Sequence, residues 1–204
     1  LVLFTSIFVG AVVAIQMYNN FRSSSIPIPM SFVGYATKAV LILEFSPTII
    51  SVVLAGKVGS YITSSIGTMR VTEQIDALDI MGVNSANLLI LPKILASLVF
   101  NPLLIAISIV FGIWGGYLAG IGTGSWSAAD YITGIQMYMP SHFIWYAFFK
   151  TAVFAFLIAT IPAYFGYNVK GGSLEVGRAS TQAVVWTIVA VIITNLVLTQ
   201  MFLS

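Results

Sequence analysis

Apolar residues fill this chain in long blocks, and polar residues gather in a few short stretches between them. Residues 1–18 are mostly apolar, with Gly10 and Gln16 as the main exceptions, and are about the shortest length that crosses a bilayer. Further blocks at about 39–66, 88–118, 143–165 and 183–203 predict five spanning helices. The stretch 19–31 carries Asn19-Asn20, Ser23-Ser24-Ser25 and Pro27-Ile28-Pro29, which is turn and loop chemistry. A Gly-rich polar connection is expected over 120–141, where Trp126, Tyr131 and Tyr138 suit an interfacial belt. Gly112, Gly116 and Gly120 fall four apart and predict a close helix approach, within one subunit in the simplest reading.

The longest interruption is 57–92, and three of the six acidic residues lie in it. Glu73, Asp76 and Asp79 recur every third position, so a helix places them in one drifting stripe. Val71, Ile75, Leu78 and Met81 form a complementary apolar stripe. Thr72 is a candidate N-cap and Gly82 a candidate stop, which predicts an amphipathic helix over about 71–82. Interfacial helices that lie on lipid are usually basic, because the cytoplasmic leaflet is anionic. An acidic face is matched better by a basic protein surface. A solvated helix resting on the membrane is the plainer alternative.

Composition removes most other classes. Hydrophobic residues make up 59% of the 204 and charged residues 7%, with a mean hydropathy of +1.02. Soluble domains carry about 25% charged residues, so lipid must solvate this chain. The net charge of +2 indicates no nucleic-acid surface. There is no cysteine, and the single histidine, His142, cannot make a metal site unaided. Gly56-Lys57 is followed by Val58, without the glycine spacing of a phosphate-binding loop. Leu1 is not an initiator methionine, and the expectation is that an N-terminal segment precedes it.

Glu44 and Lys150 both fall within predicted spans. Glu44 either reaches water or Lys38 near the interface, or lines a polar cavity. Lys150 is expected to snorkel outward. Lysine and arginine counts put the even-numbered loops, with Lys57, Arg70, Lys93, Lys170 and Arg178, on the cytoplasmic side. The acidic helix then faces the cytoplasm.

Residues 55–83, AGKVGSYITSSIGTMRVTEQIDALDIMGV, resemble the signature region of the MlaE family, the permease subunits of lipid-transporting ABC systems. Asp76-Ala77-Leu78, Gly82 and Ile90-Leu91-Pro92 also resemble the loop by which ABC importer permeases seat a coupling helix in their ATPase. The resemblance covers nearly the whole chain. It implies an all-α integral membrane protein of five transmembrane helices with a short cytoplasmic coupling helix, an N-terminal interfacial helix being missing from this chain. It implies a homodimer, a cytoplasmic ABC ATPase, periplasmic MCE-domain subunits like MlaD, a STAS-domain accessory like MlaB, and phospholipid as substrate. ATP and magnesium would bind the ATPase, leaving this chain non-catalytic and without a cofactor. The location implied is a bacterial inner membrane or a plastid inner envelope, and the role is maintaining outer-membrane lipid asymmetry.

Residue by residue, the resemblance implies a lipid pocket at Ile15, Gln16, Tyr18, Leu43, Glu44 and Phe45. It implies ATPase coupling through Glu73, Gln74, Asp76, Ala77 and Leu78, with Arg70 orienting the acids. The family more often has Arg-Glu-Leu-Gly-Pro around the glutamate; here Leu43, Phe45 and Ser46 replace the Arg, Leu and Gly. A secondary transporter using Glu44 as proton carrier, and a scaffold without substrate, are the competing readings.

Overall fold

Leu1 opens the first helix of a computed structural model that describes residues 1–24 and 28–203. Every described element is helical: α1 (Val2–Arg22), α2 (Ser31–Val40), α3 (Ser46–Leu54), α4 (Ser60–Val71), α5 (Gln74–Ile80), α6 (Ser85–Leu89), α7 (Leu91–Thr123), α8 (Ala128–Gln136), α9 (Ser141–Tyr167) and α10 (Ser173–Leu203). Five continuous helical stretches are long and apolar enough to cross a membrane: Val2–Arg22, Ser31–Val71, Ser85–Thr123, Ser141–Tyr167 and Ser173–Phe202. Their exposed side chains include Phe8, Trp145, Phe148, Ile193 and Leu196, a surface that only lipid or another apolar partner can solvate.

The second stretch has 41 residues. At 1.5 Å per residue its contour is about 60 Å, roughly twice the hydrocarbon thickness. Its ends therefore stand outside the hydrocarbon. Two π-helical turns interrupt it, Leu41–Phe45 and Ala55–Gly59. Pro47 accounts for the first. A proline inside a helix lacks its amide donor and crowds the carbonyl four residues back, here Leu43. The wider turn accommodates this: the Ser46 amide bonds to the Leu41 carbonyl.

The chain divides into two compact units. The first comprises Leu1–Ile50 and Leu103–Phe149. Small residues bring α1 and α7 together in it: a Cβ at Gly10 would overlap the Gly112 carbonyl, and one at Gly115 the Ile7 carbonyl. Ser6 and Ser108 share a hydroxyl hydrogen bond of 2.7 Å along this seam. Within one chain, Gly112 of the glycine row meets α1, while Gly116 and Gly120 make room for the Tyr131 and Trp126 side chains. The segment between α7 and α9 differs from expectation. It is not a bare loop: Ser127 caps α8, which lies so close to α2 that a Cβ on Gly134 would strike the Ser31 carbonyl. Trp126 and Tyr131 are buried with Ala14 and Val33 rather than set in an interfacial belt, while Tyr138 is exposed. Burial pushes the Tyr131 phenol above its ordinary value, against an opposing hydrogen bond with Thr37.

The second unit comprises Ser51–Pro102 and Lys150–Ser204. The Thr63 hydroxyl donates to the Pro162 carbonyl at 2.9 Å and Ser97 to the Ala155 carbonyl at 3.0 Å. Lys150 corrects the snorkelling expectation. It is fully buried, and its ammonium donates to Thr199 Oγ1 at 3.3 Å. A hydroxyl on the neighbouring helix compensates its desolvation better than a reach past apolar neighbours would. In the connection predicted over 19–31, α1 continues to Arg22 and α2 begins at Ser31; Ser25, Ile26 and Pro27 lie outside the described residues.

Candidate functional site

The tip between α4 and α6 is set by one left-handed residue. The predicted helix over 71–82 is shorter: Val71 ends α4, and α5 covers only Gln74–Ile80. Thr72 is the C-cap of α4, and its hydroxyl donates back to the Thr68 carbonyl at 2.8 Å instead of accepting an amide. Glu73 then turns the chain at φ 59 and ψ 14, the one non-glycine residue with positive φ among those described. That conformation costs an L-residue about 1–2 kcal/mol. At the other end Gly82 (φ 77) follows the C-cap Met81. Its amide bonds to the Asp79 carbonyl at 3.0 Å, and the Val83 amide to the Leu78 carbonyl at 3.1 Å. This is the paired closure that glycine favours after a helix.

Ile75 fastens the tip to its unit. It is fully buried against Ile62, Ile66, Ala159 and Ala163, with Met69, Leu89, Ile90 and Tyr167 around them. Glu73, Gln74, Asp76, Ala77 and Asp79 are exposed and Leu78 is half-buried. Ile80, 87% exposed, and Met81, 67% exposed, add an apolar end to this surface. Arg70 pairs with Asp76 at 2.6 Å, and its guanidinium stands 5.8 Å from the Tyr167 ring centre. The Tyr167 hydroxyl is 2.9 Å from Ser85 Oγ. The pair is about half exposed and contributes little stability. Its effect is to fix which way Asp76 points. Sequence periodicity brought out Ile75, but gave no signal for Tyr167, which lies 82 positions from its partner Ser85.

The candidate lipid residues occupy the other unit. Ile15 and Gln16 are exposed on α1, while Tyr18 is half-buried with its ring 5.4 Å from Trp126. Leu43 and Glu44 are half-buried in the first π turn, and Phe45 is exposed. The two trios sit at different levels. Ala14 and Val33 share one cluster, whereas Leu41 lies against Gly112, beside Ser6. Eleven residues of helix separate Val33 from Glu44, a rise of roughly 16 Å. Within one chain these six residues therefore do not gather into one compact cup. Lys38 does not serve Glu44: its ammonium donates to the Ile135 carbonyl at 2.8 Å and the Met137 carbonyl at 2.7 Å, closing the C-terminus of α8. His142 is exposed on α9, and no group of acidic or histidine side chains able to hold a metal occurs among the described residues.

Comparison with known proteins covers nearly the whole chain. Residues 1–201 match the family model described as Permease MlaE. The chain is 37% identical over 200 residues to a probable ABC transporter permease protein of Rickettsia bellii, covering 97% of this chain and 75% of that one. It is 31% identical over 207 residues to the chloroplastic protein TRIGALACTOSYLDIACYLGLYCEROL 1 of Arabidopsis thaliana, covering 98% of this chain and 56% of that one. It is 28% identical over 200 residues to the intermembrane phospholipid transport system permease protein MlaE of Haemophilus influenzae, covering 98% and 76%.

Proposed function

This multi-pass membrane protein belongs to the MlaE permease family, and from that premise we propose that it is the membrane subunit of an ABC transporter that moves phospholipid. The tip carries the reading. Exposed Glu73, Gln74, Asp76 and Ala77, with half-buried Leu78, form an acidic and apolar surface on α5 and its N-cap, and Arg70 orients Asp76 within it. Ile75 ties that surface to the ends of two spans. A push on α5 would therefore pass into α4 and α9 rather than bend a loose loop. Such a handle suits a separate cytoplasmic ATPase that binds ATP and magnesium, this chain contributing no catalysis.

Spread over two levels, Ile15, Gln16, Tyr18, Leu43, Glu44 and Phe45 would together suit an elongated amphiphile. Ile15, Leu43 and Phe45 would contact acyl chain, and Gln16, Tyr18 and Glu44 would offer polarity near the headgroup. Two copies would face each other across these residues, with MCE-domain subunits on the outer side and a STAS-domain accessory near the ATPase. An inner membrane, bacterial or plastid, is the site this assembly implies, and the expected outcome of its work is outer-membrane lipid asymmetry. The names of the Haemophilus and Arabidopsis relatives support a lipid-related role.

Co-purification from native membranes tests this, with bound proteins and lipids identified together. An ABC ATPase and phospholipid retained in the same particle are expected. A particle with neither, or transport that runs on a pH gradient without an ATPase, contradicts it.

A further inference from the structure

A cavity of about 410 Å³ opens in the second unit where α9 ends and α10 begins. It is lined in part by Tyr164, Asn168, Lys170, Glu175, Arg178 and Gln182. It lies far along the chain from residues 15–45, and none of the tip acids lines it. Its base is firmly built. Val169 and Val176 pack where a Cβ of Gly67 would stand, and the Asn168 amide donates to the Tyr164 carbonyl at 2.9 Å. Gly171 (φ 116) turns the chain between the two helices.

Two observations define what would fit. The first is charge: Lys170 and Arg178 face one carboxylate, Glu175, which bonds Arg178 at 2.8 Å. One positive charge is left over, and the positive end of α10 adds to it. The second is what continues from the cavity. Arg178, Gln182, Trp186, Val189 and Ile193 follow one another at spacings of three or four, so they run down one face of α10. Trp186 and Ile193 are more than half exposed and Val189 is 39% exposed. Tyr164, 66% exposed, and Trp186 are the aromatic types that settle at headgroup depth.

We propose that this cavity holds the phosphate of an anionic phospholipid, with Lys170 and Arg178 on the headgroup and an acyl chain along the Trp186–Ile193 face of α10. Basic pockets between spanning helices on the cytoplasmic side recognise such headgroups by the same chemistry. A phosphate-ester anion is the shared ligand chemistry, and the continuous apolar face commits the source to lipid rather than a free ion. The site requires only that the chain spans a membrane, so it stands or falls apart from the transport reading.

The full-length protein is placed in nanodiscs of mixed phosphatidylglycerol and phosphatidylcholine, and retained lipids are counted by native mass spectrometry. Phosphatidylglycerol should be enriched. Lys170→Gln and Arg178→Gln should each weaken its retention about fivefold. Glu175→Gln should strengthen it by a similar factor, a change of sign that a folding defect cannot imitate. Inorganic phosphate at millimolar concentration should not displace the lipid. Unchanged retention in a Lys170→Gln/Arg178→Gln double variant that melts like the wild type overturns the site. Displacement by inorganic phosphate overturns the lipid assignment.

Discussion

Ile75→Ala tests how the tip is held. The side chain is fully buried among Ile62, Ile66, Ala159 and Ala163, so truncation removes three carbons from a closed contact. At about 0.8 kcal/mol per methylene the transfer loss is about 2.4 kcal/mol, and an unfilled cavity adds to it. A total near 3 kcal/mol is expected. The spans do not depend on this contact, so the loss falls on local opening of α5 rather than on global unfolding. The amides to follow are Ala77, bonded to the Glu73 carbonyl, Met81, bonded to Ala77, and Val83, bonded to Leu78. Their hydrogen exchange should accelerate by roughly a hundredfold, since each 1.4 kcal/mol is a factor of ten. Amides in α9 and α10 should exchange as in the wild type. Unchanged exchange over 77–83 in a folded variant would show that Ile75 does not anchor the tip, and the proposed transmission from α5 to α4 and α9 would fail with it.

Three further outcomes follow from the geometry. Glu73→Gly should raise stability by about 1 kcal/mol in thermal unfolding, because glycine adopts the left-handed turn without a Cβ penalty; a loss of stability would contradict the assigned turn. Gly10→Ala should cost about 3 kcal/mol and disturb the α1–α7 seam, since its new Cβ meets the Gly112 backbone and not a side chain that can move; an undisturbed variant would refute that packing. Tyr131 prefers its neutral form when folded, so the stability it contributes is present below pH 10 and declines as pH rises towards its elevated value; Tyr131→Phe should lose that alkaline dependence, and identical pH profiles would count against it.

Periodicity and composition made the helical class and the five apolar blocks legible, because lipid solvation demands long apolar runs whatever the packing. Local departures were not legible. Thr72 and Glu73 read as a helix start from spacing alone, yet their backbone dihedrals make a break, and no residue-type signal marks a left-handed glutamate. The α8 helix hid in a glycine-rich stretch because its stability comes from Tyr131 docking on α2 and from Lys38 closing its end, both long-range events. Lys150 shows the same limit: whether a cation in a span faces lipid or protein depends on the opposing helix. Among the candidate site residues, the exposed acids at the tip and Arg70 beside them are visible in the sequence, but Ile75 as their anchor and Asp76 as Arg70's partner emerge only from tertiary contacts.

Reversing the charge of the tip addresses the central claim most directly. The Glu73→Lys/Asp76→Lys variant leaves the buried Ile75 contact in place and disrupts only an exposed ion pair, so folding should persist. Reconstituted with its ATPase, it should lose ATP-driven phospholipid transfer, and the ATPase should no longer co-purify. Full transfer and full retention of the ATPase would contradict the account.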